Sequence, residues 1–317
     1  MKKHHVLLLA AAVVVGLGAG AWYEKQQPRD AIDPTLRLVK AAEELKTEGY
    51  STGGMAASRL DQALVALHEV EKAENSTAAY NFGVYQMYSA IWSAHRRHAP
   101  APVLLEIGPG LNLGQGVIFV MTGAKKYYGL DAYRDPQFYN RYSYQAVAAL
   151  LTTVAPQLIV NKADSAFRAE GDKIAFNPEK IEYLYPRQSY DIPLPPGSVD
   201  YVYSHSVFEH VTDPEATIRA IFRLLPHGGL TAHHFDLGDH RDRAKPLEFL
   251  RLDAQAFKSR EEKDRVVYST NRWRLPDFTA AFERSGFRIQ KVEVTSKLMV
   301  TEEMRRSLHP DYQKYSL

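Results

Sequence analysis

The residues whose types and spacing suggest chemistry most directly are Asp131 and the E-x-G-x-G pattern formed by Glu106, Gly108 and Gly110. The pattern follows an apolar run that begins at Val103, as expected of a buried parallel strand. Glycines directly after such a strand let the backbone turn tightly and approach a ligand. A carboxylate at the end of the next strand can accept hydrogen bonds from both ribose hydroxyls of a nucleoside. These residues therefore predict a site for a nucleotide cofactor.

The glycine spacing argues against one class of nucleotide-binding enzyme. Gly108, Gly110 and Gly114 are spaced G-x-G-x-x-x-G, whereas the dinucleotide fingerprint is G-x-G-x-x-G. An NAD(P)-dependent oxidoreductase is therefore a distant alternative.

A second group of reactive side chains follows Phe208. Histidine exchanges protons near neutral pH, so it suits a general base. Each of these histidines taken singly also fits a loop or cap residue bonded to the backbone, but as a group after strand ends they predict one proton acceptor. The candidates are His210, His233, His234 and His240, with Asp236 and Asp239 as orienting carboxylates.

The elements that would position these residues alternate between strand and helix. Asp213-Pro214 has the pattern of a helix N-cap followed by proline, and Gly228-Gly229 ends that helix. Alternation of this kind predicts an α/β, Rossmann-like fold with a mostly parallel sheet and helices on both faces. The predicted strands are Val103 to Ile107, Tyr127 to Leu130, Ile181 to Tyr185, Asp200 to Ser204, Leu230 to Phe235 and Arg288 to Val294, with a helix over about 137–151.

Three ordered blocks in the second half of the chain carry a family resemblance. They read IPLPPGSVD from Ile192, YVYSHSVFEHV from Tyr201 and DPEATIRAIFRLLPHGGL from Asp213. Together with the glycine pattern they resemble the class I S-adenosylmethionine-dependent methyltransferases of the broad small-molecule type. The resemblance covers residues 103–295 and implies S-adenosylmethionine as the cofactor.

The resemblance also implies roles for individual residues. Glu106, Gly108 and Gly110 would border the methionine part of the cofactor, and Asp131 would bind its ribose hydroxyls. Gln188 stands where the family usually has an aspartate that binds the adenine amino group, with Ser189 as the neighbouring candidate. The full set of expected cofactor-binding residues is Glu106, Gly108, Pro109, Gly110, Gly114, Asp131, Ala132, Gln188, Ser189, Ser204 and His205.

Two features depart from what the resemblance implies. Glu209 and His210 with a later histidine are similar to the Glu-x-x-Glu-His and His ligands of some metal-dependent methyltransferases, but Ser206 stands at the first glutamate, so no metal is assigned. The family normally ends in an antiparallel strand, whereas Thr301 to Leu317 reads as helix and tail. The sheet is then short by a strand or completed otherwise.

A narrower resemblance concerns the acceptor. The segments HHFDLGDH from His233, PLEFLRL from Pro246, NRWRLPDF from Asn271 and SGF from Ser285 resemble a subgroup associated with bacterial polysaccharide and cell-envelope synthesis. This implies a small-molecule, glycan or lipid-linked acceptor, methylated on oxygen. A catalytically silent module that binds a nucleoside ligand or a partner is the alternative from another class.

The N-terminus and the composition bound the remaining expectations. Lys2 and Lys3 precede an apolar run over residues 6–21, which predicts a membrane anchor within residues 1–30, with a signal peptide as the alternative. We expect a helical cap at 31–99, the methyltransferase domain at 100–300, facing the cytoplasm where the cofactor is made, and a tail at 301–317. The formal net charge is +2, so no nucleic acid partner is expected. The sequence predicts no oligomeric state.

Overall fold

The computed structural model describes residues 4–11, 78–95, 101–134, 138–263 and 270–315. The chain divides into two compact units. The described residues between 78 and 188 belong to the first, which we call the glycine-loop unit, and those at 4–11 and between 189 and 315 belong to the second, the histidine unit.

The described helices and strands alternate along much of the chain. In chain order they are β1 His4–Ala11, α1 Ala78–His95, β2 Val103–Ile107, α2 Gly114–Met121, β3 Lys126–Leu130, α3 Arg141–Val154, β4 Phe167–Glu170, β5 Lys173–Phe176, β6 Ile181–Leu184, β7 Tyr201–His205, α4 Pro214–Leu224, β8 Leu230–Asp236, α5 Ala254–Lys263, α6 Leu275–Arg284, β9 Phe287–Ser296, α7 Glu302–Ser307 and α8 Pro310–Gln313.

The glycine-loop unit is built on three parallel strands in the order β6-β3-β2. Every residue of α2 is buried, because the helix, which is apolar from Val117 to Met121, packs against β3 and against helices α1 and α3. Helix α3 begins after Asn140, whose side chain accepts a hydrogen bond from the Tyr142 N–H. Strands β4 and β5 form an antiparallel hairpin that the sequence analysis did not predict.

The histidine unit contains parallel strands in the order β7-β8-β1-β9. Asp213 caps α4 by accepting a hydrogen bond from the Ala216 N–H, and Pro214 occupies the first helical position, as the sequence predicts. The buried face of α4 includes Ile218, Ile221 and Leu224. The parallel strands and intervening helices of the two units confirm the predicted Rossmann-like α/β fold with a mostly parallel sheet.

Strand β1 differs from the expectation for the N-terminus. Its residues were predicted to belong to a membrane anchor, yet His4–Ala11 pairs in parallel with both β8 and β9. An uninterrupted apolar run without periodicity suits a strand buried on both faces as well as a membrane helix, which is why the sequence does not separate the two. The rest of the predicted anchor, residues 12–30, lies outside the described residues.

The remaining outer segments of the chain are helical where the structure describes them. Of the predicted helical cap at 31–99, the described part is α1, and residues 31–77 lie outside the described residues. The tail holds the two short helices α7 and α8. Among the described helices, none combines the length and the apolar character needed to cross a bilayer.

Candidate functional site

The glycine pattern forms a loop between β2 and α2 that leaves room for a ligand. Gly108 and Gly110 have positive φ angles of 69° and 74°, a conformation that other residues adopt only with strain. The Gly108 N–H donates to the Leu130 carbonyl at 2.8 Å, which ties the loop to the end of β3. A Cβ added at Gly110 would meet no atom within 4 Å. The loop therefore borders open space at the carboxyl end of its strand.

Asp131 lies directly after β3, beside this loop. Its Oδ1 accepts the Tyr133 N–H at 3.1 Å. Burial raises the pKa of Asp131, against the opposing effect of hydrogen bonds from the backbone of Tyr133, Gly110 and Ala132. The structure thus brings the predicted ribose-binding carboxylate next to Gly110 within one unit.

Glu106 is held by a tyrosine of the neighbouring strand. Its side chain is 1% exposed, and Oε2 accepts a hydrogen bond from the Tyr127 hydroxyl. The Tyr127 ring in turn lies where a Cβ on Gly116 would come within 2.5 Å of it. The Tyr127 side chain, which packs against α2, therefore holds Glu106 in place at the start of the glycine loop.

The other predicted cofactor residues have different surroundings. Gly114 begins α2 and is close-packed, because a Cβ there would lie 2.6 Å from Asn81 Cγ. Pro109 is buried, Ala132 is half-buried and Gln188 is exposed. Ser189 belongs to the histidine unit, where its hydroxyl is hydrogen-bonded to the Thr217 hydroxyl at 2.7 Å.

His233 is a buried residue of β8 with both ring nitrogens occupied. Its Nδ1 lies 2.8 Å from Ser204 Oγ and its Nε2 lies 2.6 Å from Thr231 Oγ1. Because the Thr231 hydroxyl donates its only hydrogen to the Val202 carbonyl, Nε2 must carry the ring proton and Nδ1 must accept from Ser204. Burial lowers the pKa of His233 to about 3. These contacts give His233 and Ser204 the surroundings of structural residues rather than of a proton acceptor.

His205 and His234 form a second pair on neighbouring strands β7 and β8. Their rings stack with centroids 4.4 Å apart and planes 10° from parallel. The Ser206 hydroxyl lies 3.0 Å from His234 Nδ1, and Ser206 adopts a positive φ of 54°. Burial lowers the pKa of both histidines, to about 4 for His234, so both rings are neutral near pH 7.

The remaining predicted catalytic residues form one cluster with Glu209. Ligand atoms of Glu209, His210 and His240 all lie within 4.8 Å of one another, and the two histidine rings pack edge to face at 4.8 Å. Asp236 Oδ2 lies 3.3 Å from His240 Nε2. We call these four residues the Glu-His cluster.

The two carboxylates of the Glu-His cluster have opposite pKa shifts. Burial raises the pKa of Glu209 to about 8, despite hydrogen bonds from backbone N–H groups. Burial alone would also raise the pKa of Asp236, but its hydrogen bond to His240 and the nearby Arg243 outweigh that effect and lower it to about 2. Displaced pKa values beside histidines are a common property of functional sites.

Two residues that the sequence analysis did not single out hold this cluster in place. Asn271 donates from its side-chain amide to the carbonyls of Phe208 at 2.7 Å and Val211 at 3.0 Å. Arg274 is half-buried and donates to the Leu237 carbonyl at 2.6 Å. Both lie in the NRWRLPDF segment, which has the pattern of a helix start. Its polar residues were the signal in the sequence that could have identified Asn271 and Arg274.

Comparison with known proteins gives one family match. The family model described as a methyltransferase domain matches residues 152–232, which confirms the resemblance seen in the sequence. No curated protein sequence matches the chain.

Solved structures match part of the chain. Phosphoethanolamine N-methyltransferase 2 from Haemonchus contortus, in complex with S-adenosyl-L-methionine, is 16% identical, with coverage of 63% of this chain and 36% of that chain and a TM-score of 0.35. The YcgJ protein from Bacillus subtilis is 14% identical, with coverage of 62% of this chain and 66% of that chain and a TM-score of 0.34. This chain thus spans less than two thirds of the length of either protein. Both TM-scores are low, so neither structure bears on the function of this chain.

Proposed function

We propose that this chain, which carries a methyltransferase domain of the class I S-adenosylmethionine-dependent type, transfers a methyl group from S-adenosylmethionine to an acceptor oxygen. The observation that carries the proposal is the arrangement of Asp131 beside the glycine loop. Its carboxylate takes hydrogen bonds from the loop backbone, and the space at Gly110 is open. The glycine-loop unit therefore offers a carboxylate for ribose hydroxyls beside a glycine loop with open space next to it.

The residues present fit the cofactor in the following way. Glu106, Gly108 and Gly110 would border its methionine part, with Pro109 and Ala132 beside them. Asp131 would accept hydrogen bonds from the ribose hydroxyls. For the adenine amino group we favour Gln188 over Ser189, because the Gln188 side chain is exposed whereas the Ser189 hydroxyl already bonds to Thr217. Gly114 acts by permitting close packing of α2.

Methyl transfer to a hydroxyl group requires that the acceptor be positioned and that one proton be removed from it. The bound cofactor supplies an electrophilic methyl group, so the protein must hold the acceptor in line with it. An acceptor hydroxyl must also lose its proton as the new bond forms. We assign that task to the Glu-His cluster, since Asp236 can orient and stabilise the His240 ring. His233 is left out of this assignment because both its ring nitrogens are occupied.

For the acceptor we propose a small molecule, a glycan or a lipid-linked glycan of the cell envelope. The support is the resemblance of the segments that contain Asp236, His240 and Asn271 to envelope-associated methyltransferases. Residues 4–11 of the predicted anchor form strand β1, so membrane attachment through the whole of residues 1–30 is not proposed, and the cytoplasm-facing location of the domain stays a prediction. Fractionation of cells that express the full chain, with protease protection, tests it. An exported domain would contradict the location.

Calorimetry with S-adenosylhomocysteine on the full chain tests the cofactor assignment. We expect Asp131→Ala to weaken binding by about 10- to 100-fold, because hydrogen bonds to a charged group contribute about 1.5–3 kcal/mol. Asp164→Ala, which removes an exposed carboxylate of the same unit, is the matched control and should bind like the parent protein. No binding by the parent protein would overturn the proposal.

Methyl transfer itself requires a second assay. Labelled S-adenosylmethionine is incubated with the protein and a panel of sugars, nucleotide sugars and lipid-linked glycans. Transfer to a hydroxyl supports the proposed reaction. Cofactor binding without transfer to any member of the panel would favour the catalytically silent module.

A further inference from the structure

We propose that Glu209, His210 and His240 bind one divalent metal ion of the zinc or manganese class. The three side chains offer one carboxylate oxygen and two imidazole nitrogens, which is a donor set that suits these ions. Their ligand atoms lie within 4.8 Å of one another. Ligand bonds of about 2.0–2.2 Å would bring the atoms closer together.

The environment of Glu209 is a second, independent observation that points to a ligand. The residue is 2% exposed. Its Oε1 accepts the Asp236 N–H at 3.0 Å, but among the described residues its buried Oε2 has no hydrogen-bond partner. Leaving a buried carboxylate oxygen without a partner is unfavourable by about 1–3 kcal/mol or more. A cation at the centre of the three ligands would satisfy that oxygen.

Asp236 contacts one of the proposed metal ligands, His240. Its Oδ2 lies 3.3 Å from His240 Nε2, a distance at which the carboxylate can help to hold the ring in place, as carboxylates do for many metal-bound histidines. The same oxygen lies 3.5 Å from the guanidinium of Arg243, which is mostly exposed. The ionised carboxyl group of Glu209 would offset one charge of a divalent ion, and Asp236 lies beside the ligands.

The two chain segments that carry the ligands are fixed from outside the cluster. Asn271 bonds to the carbonyls on either side of Glu209 and His210. Arg274 holds the Leu237 carbonyl in the loop that leads to His240. The ligands are therefore preorganised, which favours binding because little conformational freedom is lost.

A role of the ion in methyl transfer rests on the proposed function, whereas the binding of the ion to the protein does not. Three protein ligands leave coordination positions open, and an ion with an open position acts as a Lewis acid toward an oxygen bound there. An acceptor hydroxyl bound to the ion would release its proton to solvent more readily as its oxygen takes the methyl group. The Glu-His cluster would then act through the metal rather than through a free histidine.

The test measures metal binding without any turnover. Full-length protein is treated with a chelator, dialysed, and titrated with ZnCl2 and with MnCl2 by calorimetry. Binding of CoCl2 is followed in parallel by visible absorption, which reports imidazole and carboxylate ligation. We expect one ion per chain. His240→Asn should weaken binding by at least tenfold and change the cobalt spectrum, and Asp236→Asn should weaken it by about 10- to 100-fold.

The matched control is His227→Asn, which removes an exposed histidine from a turn of the same unit. It should bind metal like the parent protein. Glu209→Gln is tested as well, and circular dichroism establishes that each variant is folded; if Glu209→Gln does not fold, the His240 variant carries the test. Absence of binding to the parent protein, or equal binding by the His240 and His227 variants, would overturn the proposal.

Calorimetry with S-adenosylhomocysteine on the metal-free protein separates this proposal from the proposed function. Cofactor binding in a protein that takes no metal would remove the metal site and leave the methyltransferase proposal standing. Metal binding in a protein that does not bind S-adenosylhomocysteine would overturn the methyltransferase proposal and leave the metal site standing.

Discussion

Gly116→Ala should destabilise the protein although alanine is the better helix former. Gly116 lies in α2, and a Cβ at this position would sit 2.5 Å from two carbon atoms of the Tyr127 ring. That ring is 0% exposed, and its hydroxyl donates to Glu106. The added methyl group must therefore move the residue that fixes Glu106 beneath the glycine loop.

The size of the effect can be worked out by comparison with another helical glycine. Gly83 lies in α1 of the same unit, and a Cβ there would meet nothing within 4 Å. Replacing a glycine by alanine inside a helix stabilises it by about 0.5–1 kcal/mol. Overpacking a filled core costs about 1–3 kcal/mol. Gly83→Ala should therefore stabilise the protein, and Gly116→Ala should be less stable than Gly83→Ala by about 1–3 kcal/mol.

Urea unfolding of the parent protein and the two variants, followed by circular dichroism at 25 °C, measures this difference. Calorimetry with S-adenosylhomocysteine should also show weaker binding for Gly116→Ala, since the displaced ring supports Glu106. If Gly116→Ala is as stable as Gly83→Ala, the ring contact does not constrain α2 and the reasoning is refuted.

Two further predictions concern the histidine unit. Asp213→Ala removes the cap of α4 and should lower the free energy of unfolding by about 1 kcal/mol; an unchanged thermal midpoint would contradict this. The pKa of His234 is lowered from 6.5 to about 4 by burial, so below pH 6.5 the unfolded chain binds a proton that the folded chain does not. Stability should therefore fall as the pH drops from 6.5 toward 4, and His234→Asn should make that slope shallower by about 1.4 kcal/mol per pH unit. Burial also lowers the pKa of His205 and of His233. Because both residues remain in the variant, part of the pH dependence of stability remains as well. An identical slope in urea unfolding at several pH values would exclude this origin.

Local sequence signals predicted much of the fold. β2, β3, β8 and the start of α4 follow from short apolar runs and a proline-containing cap, which act over a few residues and need no knowledge of the rest of the chain. β1 could not be assigned in the same way. Its apolar sequence is compatible with two environments, and only its pairing with β8 and β9, which lie more than two hundred residues away, distinguishes them.

The candidate site was predictable to a similar extent. Asp131 and the glycine pattern are local signals, and the structure brings them together. Neighbouring residues His233 and His234 look equivalent in the sequence, but successive side chains of a strand point to opposite faces. One is enclosed by hydroxyl groups and the other stacks on His205.

The hydrogen bonds of Asn271 bear on any attempt to alter acceptor preference by loop exchange. One amide group binds the carbonyls of Phe208 and Val211, and the Asn271 N–H binds the carbonyl of Glu209. The turn that displays Glu209 and His210 is therefore defined by a residue about sixty positions later in the chain. A graft of residues 206–211 from another enzyme would lose its shape unless residue 271 were transplanted with it, so the two segments form one unit for design.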